Sequence, residues 1–192
     1  MRMNRRTFGC VMGVLLVLGA VASSRPASGD ESYHLVGARV VYTLVNLHPD
    51  ETRKRLYSVN YQQAGLLPRC TRVKIESVSS NEMKFLAVDG GREYAYIFHN
   101  SMRDSVPKHL DKYFGTSCDK SKVQKMSKID QEGIKTGQAT EGMTKQGVIL
   151  AIGYPPEHVT PTTEGNAWRY WKNRFGTMVV HFADGKVVRI QK

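Results

Sequence analysis

The sequence predicts an α+β protein in which a small, mainly antiparallel β domain precedes a compact helix-and-sheet module. Three observations predict it. Short β-branched runs separated by turn residues crowd residues 36–98. Residues 144–156 read as a helix with Thr144 as cap and Gly153-Tyr154-Pro155-Pro156 as stop. Residues 168–190 alternate apolar and polar side chains as a three-stranded meander.

The chain begins with an export signal. Arg2, Arg5 and Arg6 form a positive start, Phe8 to Val21 is apolar and uncharged, and Ala20-Val21-Ala22 is an A-x-A site that places cleavage between Ala22 and Ser23. The alternative is an uncleaved N-terminal anchor, but the run is short of the ~20 apolar residues of a spanning helix. Asn4-Arg5-Arg6-Thr7-Phe8 resembles a twin-arginine signal, and general secretion serves equally. Cys10 lies near the start of the apolar run and not after it, so no lipobox is expected. The expected location is periplasmic or outer-membrane associated. Export leaves Cys70 and Cys118 in an oxidising compartment, either as one disulfide or as two separate buried thiols. A bond closing a loop of ~50 residues contributes roughly 4 kcal/mol in the loop-entropy description.

Ser23 to Asp30 is small and polar, as in a flexible leader. Val36 to Leu47 is β-branched and predicts a strand, interrupted by His48-Pro49-Asp50-Glu51. Thr52 to Gln63 is ambiguous between helix and strand. Arg72 to Val78, Glu82 to Val88 and Arg92 to Phe98 predict three further strands, with Asp89-Gly90-Gly91 as the hairpin turn between the last two. Tyr94, Tyr96 and Phe98 share one face at period two and are expected in the core. Strands this short and this close predict a small curled sheet or SH3-like barrel over residues 31–115. Ser105-Val106-Pro107 opens a helix with Leu110, Tyr113 and Phe114 as its apolar stripe, ended by Gly115. Residues 116–128 are polar and lysine-rich and read as a linker. Beyond it, Asp130 to Lys135 predicts a short helix ending at Gly137. Val148, Ala151 and Ile152 give the next helix its apolar side, with Gly153 as a left-handed cap. Asp184-Gly185 turns the last hairpin.

The formal charge is +11, and removing the three arginines of residues 1–22 leaves +8. The excess lies in Arg53-Lys54-Arg55, in Lys120, Lys122, Lys125 and Lys128, and in Lys172 and Arg174. Outside the cytoplasm such a surface favours anionic lipid headgroups or acidic proteins; its bland reading is a solvated surface that keeps the chain soluble. No aromatic-interleaved basic motif of an RNA-binding type is present, so nucleic acid is not an expected partner. No C-x-x-C or H-E-x-x-H spacing marks a metal, and no glycine loop marks a phosphate cofactor. Cys70 paired with a distant histidine is the one nucleophile worth weighing; its place at the mouth of a strand offers no helix N-terminus to lower its pKa, and a bond to Cys118 would remove it. A non-enzymatic binding protein is the expected class.

Gly142-Met143-Thr144, Val148, Gly153-x-Pro155, Trp168-x-Tyr170, Phe182-x-x-Gly185 and Val187-x-x-Ile190 together strongly resemble the SmpA/OmlA (BamE-like) family over roughly residues 129–191. The resemblance implies an α-α-β-β-β module that works by protein recognition, with Trp168, Tyr170 and Phe182 as core. It also implies partners in the β-barrel assembly machinery and contacts to lipid headgroups. By position it implicates Tyr154, Arg169, Trp171, Lys172 and Arg174 in partner binding. Asn173 stands where the family often has arginine, and a front domain of about 100 residues has no counterpart in the family archetype. The expectation is therefore an adaptor of the cell envelope that supports outer-membrane protein assembly. The alternative is a periplasmic inhibitor or cell-wall ligand-binding protein whose β domain is the binding module.

Overall fold

Alternation of buried and exposed side chains builds the front sheet. The computed structural model describes residues 33–38 and 40–192; the predicted signal, its Ala22–Ser23 cleavage point and the leader lie outside the described residues. The strands are β1 (Val41–Thr43), β2 (Arg55–Tyr57), β3 (Arg72–Val78), β4 (Glu82–Ala87), β5 (Arg92–Ile97) and β6 (Phe114–Gly115). They form a curled six-stranded sheet in the order β2-β5-β4-β3-β1-β6. Only the β2–β5 pair is parallel. The β4–β5 turn falls at Asp89-Gly90-Gly91 as predicted, and Tyr94, Tyr96 and Phe98 are buried.

Three local expectations change. The Val36–Leu47 strand contracts to β1, because the backbone on either side bonds elsewhere: Val36 N–H closes a turn on Tyr33 O, Leu44 N–H reaches Tyr113 O, and Asn46 N–H reaches Leu150 O. The helix after Ser105 is α1 (Val106–Asp111), and Gly115 does not end it; Phe114 and Gly115 instead pair with Thr43 and Tyr42 as β6. The lysine-rich stretch 116–128 contains helix α2 (Ser121–Gln124), with Val123 and Met126 packed against the core. Two apolar side chains pin a segment that its lysines make look solvated.

The tail comprises α3 (Lys128–Thr136), α4 (Lys145–Ile152) and an antiparallel sheet of β7 (Ala167–Trp171), β8 (Thr177–Ala183) and β9 (Lys186–Gln191) in the order β7-β8-β9. The Ser127 and Thr144 hydroxyls cap α3 and α4 by accepting from Asp130 N–H and Gly147 N–H. Gly153 has the positive φ of +79° but ψ −178°, so it ends the helix in a glycine-favoured conformation and not in the expected left-handed helical cap. That exit is satisfied from the front half of the chain. Asn46 Nδ2 donates to Ile134 O at 2.6 Å and Ala151 O at 3.1 Å, and the Asn60 and Gln62 amides both reach Ile152 O at 2.9 Å. These side chains occupy the carbonyls that every helix C-terminus leaves without partners. Buried side chains of both halves form one continuous apolar cluster, from Val41 and Phe85 to Trp168 and Phe182. No helix among the described residues is long and apolar enough to cross a membrane.

Candidate functional site

Strand β7 turns Trp168 and Tyr170 inward, where both are fully buried. Period two then sends Arg169 and Trp171 to the opposite face. Register places Val179 and Gln191 beside Arg169, and His181 and Arg189 across from Ala167. Ala167, Arg169, Arg189 and Gln191 are exposed and Val179 and His181 half-buried, so the face is open to solvent except at Trp171. The three strands contain no Asp or Glu, and from 167 to 192 six Lys/Arg face a single acid, Asp184. The β7–β8 hairpin extends this charge. Asn173 Oδ1 accepts the N–H groups of Phe175 and Gly176, each at 2.8 Å, which orders the tip. Phe175 is 81% exposed, with the Arg174 guanidinium 4.6 Å from its ring centroid. An aromatic ring this exposed, in a field of one sign, is not required by packing.

Of the five residues implicated by sequence, Arg169, Trp171, Lys172 and Arg174 lie on β7 and its hairpin. Trp171 is pinned: its ring stacks on His158 at 6.2 Å and 10°, its backbone bridges Tyr61, and its buried Nε1 has no hydrogen-bond partner among the described residues. Tyr154 lies apart, edge-on to Tyr113 at 5.8 Å and beneath Lys112 Nζ, also at 5.8 Å. It belongs to the junction between the halves, where its carbonyl accepts Asn60 Nδ2 at 2.7 Å.

That junction holds an ionic cluster. Lys112 Nζ contacts the Glu157 carboxylate and lies 2.5 Å from Asp104 Oδ2, while Lys108 Nζ lies 2.6 Å from Asp104 Oδ1. The Lys112–Asp104 Oδ2 contact is a charge pair and not a well-directed hydrogen bond. The carboxyl group of Glu157 and, against the cost of burial, the two ammonium groups hold Asp104 well below the usual carboxylate range. Burial opposes the charge on Lys112, but its two carboxylate partners outweigh it and raise its pKa. Beside them His109 Nε2 lies 2.9 Å from the Tyr96 hydroxyl, and burial, then Lys112, pushes this imidazole down to about 4. The cavity among Ser58, His109, Lys112, Tyr154 and His158 measures about 10 Å³, room for no more than a water molecule. The cluster is a clasp joining α1 to the 154–158 loop.

A pH dependence follows. His109 and His48 both sit below the ordinary imidazole value, His48 chiefly by burial beside Ala151 O. The unfolded chain then binds protons that the folded chain refuses, so stability falls as pH drops from about 6.5 toward 4. His109 alone removes about 2 kcal/mol by pH 5. Urea midpoints measured from pH 7.5 to 5 should decrease, and His109→Gln should flatten part of that slope.

Cys70 and Cys118 are joined by a disulfide, with Cα atoms 5.4 Å apart. Cys70 therefore has no free thiol for a cysteine–histidine pair. No group of three or more His, Cys, Asp or Glu converges as a metal site among the described residues. Sequence reasoning missed Asp104, Asn46, Asn60, Gln62 and Arg69, because each has a partner distant in the chain and none carries a local motif. Searches against family models, curated proteins and solved structures find no match to this chain.

Proposed function

We propose that this chain is an exported, non-enzymatic adaptor of the cell envelope that binds an acidic protein through the outward face of β7–β9 and the 172–176 hairpin. The observation that carries this reading is the uncovered sheet face with no acid in its three strands, ending at the exposed Phe175 beneath Arg174. Basic complementarity of this kind steers encounter, and an ordered aromatic ring anchors it. In this reading the tail is a SmpA/OmlA-like module and the curled front sheet is its SH3-like scaffold. Its partners are envelope proteins, among them the β-barrel assembly machinery. The helix pair beside a three-stranded meander, with Trp168, Tyr170 and Phe182 buried, supports the tail assignment.

A photo-reactive residue at Phe175 tests this, since replacing an exposed ring disturbs no packing. In-cell cross-linking should capture envelope proteins, and Lys172→Glu with Arg174→Glu should cut the yield at least tenfold. Yields untouched by charge reversal would overturn the reading. Capture of no protein, together with co-sedimentation on phosphatidylglycerol vesicles, would transfer the face to lipid headgroups.

A further inference from the structure

The one covalent cross-link of the described chain carries features that holding the fold does not need. The backbone on each side of it is held independently. Cys70 N–H donates to Thr43 O at 2.8 Å, and Thr71 N–H donates to Thr43 Oγ1 at 3.1 Å. On the other strand, β6 pairs with β1 three residues before Cys118, and Arg69 Nη2 donates to Asp119 O at 2.8 Å just after it. Arg69 is fixed a second time by Nε on Leu44 O at 3.1 Å. That fixed guanidinium places Nη1 3.3 Å from Cys70 Sγ. Cys70 also holds a left-handed φ of 63°, which costs a non-glycine residue roughly 1 kcal/mol. Both cysteines are half-buried and border an open groove of about 520 Å³, with Lys120 and the Arg72–Asp89 ion pair also on its wall.

We infer that Cys70–Cys118 is a thiol–disulfide exchange site, in which Arg69 stabilises Cys70 as the leaving thiolate. A thiolate of a reductant entering the groove attacks Cys118 Sγ. A new sulfur–sulfur bond forms there, the Cys118–Cys70 bond breaks, and its electron pair stays on Cys70 beside the guanidinium. A second thiol of the reductant attacks the mixed disulfide and releases Cys118, which takes a proton from water. The reductant, a dithiol or two monothiols, ends as a disulfide, and the chain gains two electrons and two thiols. Direction follows from charge: a leaving sulfur of lower pKa departs faster, and a fixed cation lowers it. Asp89 offsets Arg72, so Lys120 together with Arg69 beside Cys70 supplies the positive charge that favours an anionic thiol. Because the flanking backbone is tied to the sheet without the bond, exchange proceeds on the folded protein.

Reduced glutathione, a tripeptide thiol carrying net negative charge, is the reagent for the test. The oxidised full chain is mixed with it at pH 7 without denaturant, quenched early with iodoacetamide and mapped by peptide mass spectrometry. The expected first product carries glutathione on Cys118 and the alkyl group on Cys70, with an unchanged near-ultraviolet circular dichroism spectrum. Arg69→Met should slow the first step about five- to tenfold, and Arg69→Lys should recover part of it. Glutathione found first on Cys70, exchange seen only in denaturant, or an unchanged rate in a folded Arg69→Met variant would each overturn the assignment. The regiochemistry is read on the wild-type chain, so the test stands even if the Arg69→Met variant does not fold.

Discussion

Gly147→Ala should lower stability by about 3 kcal/mol, although alanine in place of a helical glycine normally adds up to 1 kcal/mol. A Cβ at this position would lie 1.9 Å from Asp130 Oδ1 and 2.6 Å from its Cγ. Asp130 cannot swing aside. It is 1% exposed, Oδ1 accepts Thr144 N–H at 2.8 Å, and Oδ2 accepts the Ser127 hydroxyl at 2.8 Å. The carboxylate thus ties the first turn of α3 to the first turn of α4, where the free N–H groups of both helices favour an anion. Asp130→Ala should itself cost about 2 kcal/mol, because the half-buried Thr144 N–H loses its acceptor while the exposed Ser127 hydroxyl can turn to water. The double variant gives the sharper test. Removing the carboxylate removes the atoms nearest the new methyl, so the two costs should fall short of their sum by about 1.5 kcal/mol. Urea denaturation of the four proteins measures the cycle, and strictly additive costs would show that the helices do not meet through this contact.

Lys112→Met should cost about 2 to 3 kcal/mol near pH 7. The variant leaves Asp104, whose side chain is 7% exposed, and Glu157, at 24%, facing one another without their shared cation. Removing one partner of a fully buried ion pair costs more, but solvent at Glu157 screens part of this charge. The sign with pH is fixed by Asp104. Its folded pKa is depressed in the native protein, so its stabilisation is complete above the ordinary carboxylate range and fades as pH falls through and below it. In the variant the share of that depression due to Lys112 is lost, while Glu157 and Lys108 keep theirs, so the gap between variant and wild type should narrow on acidification. A gap that stays constant from pH 7 to 3 would mean Lys112 contributes only its aliphatic stem. Because the clasp joins α1 to the loop that carries His158, the ring stacked on Trp171, its loss should also weaken cross-linking from the 172–176 hairpin.

The parts legible in the sequence were those governed by neighbours along the chain. Period-two alternation determined β3, β4, β5 and the β7–β9 meander, and turn residues determined Asp89-Gly90-Gly91 and Asp184-Gly185. Thr144 determined the start of α4 and Gly137 the end of α3. In each case the deciding contact spans fewer than about six residues, so residue type carries it. The same alternation separated buried Trp168 and Tyr170 from outward Arg169 and Trp171, which makes the candidate face readable from residue order alone.

Only the tertiary structure decided the rest. Whether Val36–Leu47 forms one strand depended on Leu150 and Tyr113 offering carbonyls to its backbone. Whether residues 116–128 stand free depended on where Val123, Met126 and Cys118 find their partners. Tyr154 separates from the other implicated residues because Lys112 and Tyr113, some forty residues earlier, surround its ring. Asn46, Asn60 and Gln62 end helices about ninety residues away. A polar side chain in a loop looks the same in sequence whether it faces water or a helix end, because burial, and with it the cost of an unpaired carbonyl, exists only once the chain has closed on itself.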